Sequence, residues 1–257
     1  MRFCSLGSGS GGNGTLVEAS QGITSTQLLI DCGFSQRELV RRLERAGSSP
    51  DQLAGIFITH EHGDHIGCAL GFAMRWRIPL WMSRGTWRRV GSEDFDAALL
   101  HLTKDGDQLA LGDLELRPFS VPHDAEEPLQ LRLGDGRHSL GVLTDVGSVT
   151  QHLLDSLQGC DALLLECNHD EEMLKTSSYP YPLKRRILGS HGHLSNATAA
   201  EILAQCQHAG LGRVVAAHLS AQNNRPELAL AALEPVMAQA RLEVADQQTG
   251  TPWFPLG

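Results

Sequence analysis

The stretch "ITHEHGDHIGC", residues 58–68, crowds His60, His62 and His65 together with Glu61 and Asp64 around Gly63 and Gly67. An apolar run, "LAGIFI", leads directly into it. In an extended segment side chains alternate with period two, so His60 and His62 point the same way. Gly63 permits a sharp turn, after which Asp64 and His65 come round at the start of a helix. Two imidazoles then aim at one point, and a carboxylate–imidazole pair aims beside it. These are ligand types that zinc and manganese accept. A lone histidine in such a place is ordinarily a satisfied polar group. Four potential ligands within the six residues 60–65, at the end of a buried strand, indicate a metal site.

Such a site needs further ligands, and polar residues stand at the ends of other apolar runs. Asp31 follows "TQLLI", His123 follows "LRPFSVP", Asp145 follows "SLGVLT" and His218 follows "RVVAA". Any one of them alone reads as a turn or cap residue. The fourfold repetition predicts that they converge on one rim of a layered fold.

The elements that must position them are short. "RFCSL", "GTLVEA" and "TQLLIDCG" read as strands, the first two joined by "GSGSGGNG" as a tight loop. "SQRELVRRLERAG" has helical spacing with a serine cap and a closing glycine. "LAGIFI" is a buried strand, and "IGCALGFAMRW" after the histidine cluster reads as one helix. A second set follows: "IPLWMS", "DQLALGDLELRPFSV", "LQLRLGDGRHSLGVLTD" and "DALLLE", with "LGDGRHS" as a hairpin turn. Then "LSNATAAEILAQCQHAG" reads as a capped helix, "GRVVAAHLS" as a strand, and "RPELALAALEPVMAQA" as another helix. Mixed strands and then helices, twice over, without linker or repeat, predict one α/β domain spanning 1–257. Its two sheets pack face to face with helices outside.

The bulk composition excludes several classes. The longest apolar runs fall far short of the roughly 20 residues a membrane span needs. "MRFCSLGSGSGGNG" lacks the apolar core of a signal peptide, so the expected location is the cytoplasm. Six scattered cysteines without a CxxC pair argue against both a disulfide scaffold and a zinc ribbon. A formal charge of −9 argues against coating a polyanion with the whole surface, though not against a local basic track. Basic residues do cluster, at "RWR" 75–77, "WRR" 87–89 and "KRR" 184–186.

"HEHGDH" fits the HxHxDH signature, and the chain resembles the metallo-β-lactamase superfamily. The matches run in order from "SLGSGSGGNGT" through "PHDA" and "TDVG" to "HLSAQNN". The resemblance implies an αββα four-layer sandwich with two divalent ions, zinc or manganese, at one rim. By similarity His60, His62 and His123 hold one ion, Asp64, His65 and His218 the other, and Asp145 bridges them. Asp31 is expected to orient a metal-bound histidine. Ions about 3.5–4 Å apart share a hydroxide at neutral pH and clamp attacking and leaving oxygens.

The fold alone does not choose the substrate. "LLLECNHD", "SHGHLSNATAAEIL" and "VVAAHLSAQNN" resemble the closing motifs of RNase Z and its relatives. That likeness makes His193 a proton donor to the leaving oxygen with Glu166 as its partner acid, and leaves His191 a bystander. Asp64, through the second ion, joins them as a catalytic candidate. The overall pattern is similar to the YycJ/WalJ group, which implies 5′-to-3′ exonuclease activity on DNA. Only 47 residues separate Asp145 from His193, too few for the inserted domain of larger nucleases. No arm for transfer RNA is visible.

In "KTSSYPYPLKRRILG", read as a proline-stiffened loop, Lys184, Arg185 and Arg186 are candidates for backbone phosphates. Tyr179 and Tyr181 are candidates for stacking on bases. "GSGSGGNG" is either a phosphate cradle or a tight hairpin near the rim. Two other classes compete. One is a small-molecule hydrolase, acting on a cyclic phosphodiester or, like glyoxalase II, on a thioester. The other is a module whose metal merely braces the fold.

Overall fold

Leu28 and Ile30 face one apolar layer and Leu29, between them, faces another; all three are buried. The same alternation runs through Ala162 to Leu165 and through Val214 to Ala217. Strands buried on both faces are the mark of a sheet covered on both sides. The structure, a computed structural model, describes residues 1–257.

The strands are β1 (Arg2–Gly7), β2 (Gly14–Gln21), β3 (Thr24–Ile30), β4 (Leu53–Phe57), β5 (Leu80–Ser83), β6 (Leu100–Thr103), β7 (Leu109–Leu111), β8 (Leu114–Ser120), β9 (Leu129–Gly134), β10 (Ser139–Leu143), β11 (Ala162–Glu166), β12 (Arg213–Ala217), β13 (Arg241–Val244) and β14 (Phe254–Pro255). The helices are α1 (Gln36–Arg45), α2 (Gly63–Ile66), α3 (Ala69–Trp76), α4 (Arg84–Val90), α5 (Gln151–Leu157), α6 (Glu171–Thr176), α7 (Tyr181–Ile187), α8 (Asn196–Cys206) and α9 (Pro226–Leu233).

One sheet has the order β14-β1-β2-β3-β4-β5-β6 and the other β13-β12-β11-β10-β9-β8-β7. Each begins as an antiparallel meander and continues as parallel strands, from β3 in the first and from β10 in the second. Between the sheets lie Val17, Leu28, Phe57, Leu131, Val142 and Leu164. Outside the first sheet, Leu39 and Leu43 of α1 and Phe72 of α3 cover Leu29 and Ile56. Outside the second, α5, α8 and α9 cover Leu163, Leu165 and Val214. The result is the expected αββα sandwich. No helix is long and apolar enough to cross a membrane.

Several elements differ from the expectation. The helix expected over 66–76 is two, α2 and α3, broken where Gly67 takes a φ of 34°. A Cβ at Gly67 would collide with the Cys32 carbonyl, so the break is built into the packing. The helix expected over 225–240 stops at Leu233, gives one 3-10 turn around Pro235, and releases the chain into the edge strand β13. The loop expected before His193 contains α7, whose first turn accommodates Pro182 because those N–H groups have no helical partner anyway.

Truncating the central layer should be costly and local. Leu164→Ala is expected to lower unfolding free energy by about 2–5 kcal/mol, read from urea denaturation. Ile23→Ala, at a fully exposed turn, should stay within about 0.5 kcal/mol of the parent. Equal effects at the two positions would contradict the layer assignment.

Candidate metal centre

In open sheets, sites form beyond the carboxyl ends of parallel strands, and both sheets deliver such ends to the same rim. Asp31 follows β3, His60 and His62 follow β4, Asp145 follows β10, Glu166 closes β11 and His218 follows β12. Asp31, Asp145 and His218 have φ of 63°, 57° and 53°. Non-glycine residues seldom adopt this left-handed conformation, and it persists only where surrounding structure enforces it. Each such residue ends its strand with an abrupt turn at the rim. His123 arrives separately, on the loop after β8.

The structure brings all seven expected ligands together. The candidate nitrogens of His60, His62 and His123 lie within 4.8 Å of one another, as do the ligand atoms of Asp64, His65 and His218. Asp145 stands between the groups. Its Oδ2 is 2.8 Å from both His65 Nε2 and His218 Nδ1, and its Oδ1 is 4.0 Å from His123 Nε2.

Hydrogen bonds behind the rings determine which nitrogens are bare. His123 Nδ1 donates to the Gly192 carbonyl at 3.1 Å, leaving Nε2 as a lone pair facing His62. His65 Nδ1 donates to Asp31 Oδ2 at 2.7 Å, leaving its Nε2 toward Asp145. Asp31 is in turn held by the Thr59 amide and hydroxyl. A carboxylate behind an imidazole fixes the ring and raises its basicity, which is the role expected of Asp31.

Without a cation these groups satisfy one another only in part. His62 Nδ1 sits 3.0 Å from His60 Nε2 and 3.2 Å from His123 Nε2. Asp145 Oδ2 and His218 Nδ1 are buried and close, yet neither has a hydrogen-bond partner. Buried polar atoms are nearly always paired, and an imidazole–carboxylate set suits a divalent ion. The donor set therefore fits a divalent metal site.

Electrostatics agree. Burial depresses His60 and His123 below the usual imidazole range, keeping them neutral as ligands must be. Burial also opposes charge on His218, but Asp145 outweighs it and pushes that imidazole up to about 10. His65 is raised in the same way, by Asp145 and Asp31 against its burial. The carboxylates here attract positive charge strongly, whether as protons or as a cation.

Some supporting residues went unnoticed in the sequence. The Ser8 hydroxyl accepts from the His218 amide at 2.8 Å, and Asn13 donates to the Asp64 carbonyl from both its backbone and its side chain. Asn13 Nδ2 also lies 3.1 Å from His65 Nε2. The "GSGSGGNG" loop is thus a brace for the second ligand group, and from it Ser10 reaches the cavity. The one available signal was polar side chains embedded among glycines. Asn168 on the cavity wall gave no signal at all.

A cavity of about 380 Å³ opens over the ligands, lined in part by Tyr179, Arg186, Asn168, His193 and Ser220. His193 Nδ1 donates to Glu166 Oε1 at 2.8 Å, and the fully buried Glu166 also accepts from the Val146 amide. Burial disfavours charge on His193, but Glu166 prevails and raises its pKa. His191 remains outside the cavity.

Of the five expected substrate contacts, Arg186 and Tyr179 line this space, whereas Lys184, Arg185 and Tyr181 do not. Lys184 Nζ instead donates to the carbonyls of Lys175 and Ser177, both at 2.7 Å, tying α7 to the end of α6. Tyr181 is 72% exposed, with the Arg185 guanidinium 6.0 Å from its ring. Helical spacing turns these three outward. Arg186 Nε donates to Asp124 Oδ2 at 2.5 Å, and Asp124, beside His123, was not anticipated.

This rim of histidines and aspartates on an αββα sandwich defines a metallo-hydrolase class, and comparison with known proteins agrees. The family model described as beta-lactamase superfamily domain matches residues 26–219. The chain belongs to the metallo-β-lactamase superfamily, within its YycJ/WalJ group. It is 33% identical over 247 residues to exodeoxyribonuclease WalJ of Streptococcus pneumoniae serotype 2, covering 95% of this chain and 90% of the relative. It is 32% identical over 250 residues to exodeoxyribonuclease YycJ of Bacillus anthracis, covering 96% and 92%. Among solved structures, the metallo-β-lactamase fold protein YhfI from Bacillus subtilis superposes with a TM-score of 0.74 at 15% identity, over 97% of this chain and 98% of that one.

Asp31→Asn preserves size and tolerates the left-handed backbone but removes the charge behind His65. It is expected to weaken binding of one divalent ion roughly tenfold or more, measured by competition with a chromophoric chelator. Unchanged affinity would show that the Asp31–His65 bond does not serve the ion.

Proposed function

We propose that this chain is a cytoplasmic dinuclear phosphodiesterase that shortens DNA from the 5′ end. It would hold two divalent ions, zinc or manganese. His60, His62 and His123 would hold one ion and Asp64, His65 and His218 the other, with Asp145 placed between the two groups. When bound, such ions supply Lewis acidity to phosphoryl oxygens and lower the pKa of water. The observation that carries the reading is the His193–Glu166 pair, 2.8 Å apart beside the ligands on the cavity wall. The exodeoxyribonuclease names of the two relatives support DNA as the substrate.

The chain's own groups have distinct tasks. Arg186 offers the cation nearest the scissile phosphate, and Asp124 holds it over the cavity. Tyr179 presents a ring against which a base can stack. Glu166 accepts a hydrogen bond from the Nδ1–H of His193, so an imidazolium there has its Nε2–H free for the departing oxygen. An alkoxide needs that proton. A thiolate, with a pKa of about 8.5, leaves without one, so the pair favours a phosphodiester over a thioester.

The test is manganese-loaded protein with single-stranded DNA labelled at either end. The 5′ label should be released first as a short product. His193→Ala is expected to lower kcat by roughly 10²–10⁴ with metal content unchanged. In Glu166→Gln the alkaline limb of the rate profile should move to lower pH, because losing the carboxylate lowers the pKa of the imidazolium. Asp64→Ala should fold but lose hydrolysis. Turnover of bis(p-nitrophenyl) phosphate with no shortening of DNA would redirect the reading to small cyclic phosphodiesters, consistent with the net charge of −9.

A further inference from the structure

The helices outside the first sheet carry charge opposite to the rest of the chain. Residues 34–91 hold nine arginines against five acids, a net +4, so the remainder of a chain with net charge −9 carries −13. Within that stretch α1 and α3 both start at the rim. The first begins five residues after Asp31 and the second four residues after His65. Near their starts they are close, for a Cβ on Gly71 would lie 2.8 Å from Gln36 Nε2. Farther from the rim they part, and an open groove of about 600 Å³ lies between Arg37, Val40 and Arg41 of α1 and Arg75 and Trp76 of α3.

The lining has the chemistry of a polynucleotide track. Arg41 pairs with Glu38 at 2.8 Å, whereas Arg37 and Arg75 form no ion pair. Glu44 is the single carboxylate on the lining. Trp76 is 37% exposed, and the Arg75 guanidinium lies 5.6 Å from its ring. Unpaired arginines flanking an exposed indole combine phosphate attraction with a stacking platform, the pairing used to hold single strands without sequence preference. The eight residues of α3 place Trp76 roughly 12 Å from the start of that helix, beyond the reach of a substrate confined to the cavity.

We propose that the α1–α3 groove holds the single-stranded DNA leading away from the reacting phosphate. Arg37 and Arg75 contact backbone phosphates there, and Trp76 stacks on a base. This deepens the nuclease reading and rests on it for the direction of the strand, but the groove itself is testable apart from cleavage. The competing occupant is a second copy of this chain, presenting its acidic remainder.

Arg37→Ala/Arg75→Ala and Trp76→Ala alter exposed side chains, so both proteins should fold as the parent does. On single strands of about twenty nucleotides, long enough to span a track, each should raise KM roughly tenfold and leave kcat unchanged. Hydrolysis of bis(p-nitrophenyl) phosphate should be unaffected. The double variant should also flatten the dependence of log KM on log salt by about 1.4, the value for two lost phosphate contacts on a single strand. Binding of a fluorescein-labelled single strand, followed by anisotropy in a His193→Ala background, should weaken by the same factor. Unchanged affinity and unchanged KM in both variants would overturn the inference. So would a parent oligomer that both variants dissociate while they digest DNA normally. If the parent never shortens DNA, the nuclease reading fails; the anisotropy result then still decides whether the groove binds it.

Discussion

Asp145 is a fully buried carboxylate whose Oδ2 lies 2.8 Å from two imidazole nitrogens, with hydrogen-bond geometry to neither. An isolated buried charge costs several kcal/mol or more unless something compensates it. Part of that compensation comes from the imidazoles of His65 and His218, which Asp145 pushes toward their charged form, and all of these atoms converge on a point that suits a divalent cation. The rest of the rim follows from that constraint. His60 and His123 are kept neutral by burial, His65 is clamped from behind by Asp31, and the Ser8–Asn13 loop braces the backbone of His218 and Asp64.

The sandwich satisfies this constraint because its two halves share one topology. Each sheet passes from meander to parallel strands, so each sends carboxyl ends toward the same edge. Left-handed residues at Asp31, Asp145 and His218 end those strands sharply. Three strained backbones at three rim side chains represent a standing cost of roughly 1–3 kcal/mol each. They persist because the strands on either side are buried on both faces and cannot relax.

Much of this was legible in the residues. The alternating apolar runs specified the buried strands, and polar residues ending those runs specified the rim. What remained hidden had weak local signals. Helix α7 contains no buried residue and opens on prolines, so neither periodicity nor propensity announced it. Strand β13 is an edge strand with only partly buried residues, following a helix that Pro235 cuts short. The "GSGSGGNG" loop leaves a phosphate cradle open beside a tight hairpin, because glycine content reports backbone freedom and not the partner that exploits it. Lys184, Arg185 and Tyr181 were grouped with Arg186 by sequence proximity. A helix separates neighbours by about 100°, and that rotation alone sends one cation inward and the others out.

Charge placement ties the cavity to the outer helices. An enzyme that draws a polyanion cannot surround its centre with uncompensated acids, yet this centre gathers Asp31, Asp64, Asp124, Asp145 and Glu166. The cations needed to offset them are not spread evenly. One, Arg186, is suspended over the cavity by Asp124, and nine others lie within residues 34–91, the stretch that carries the helices starting at the metal rim. A strand approaching from solvent therefore meets arginines along the outside of the first sheet before it meets the buried carboxylates. Exposed charge acts over about a Debye length, roughly 10 Å at moderate salt, close to the length of α3. The basic face begins at the rim, near enough to guide a phosphate backbone toward it.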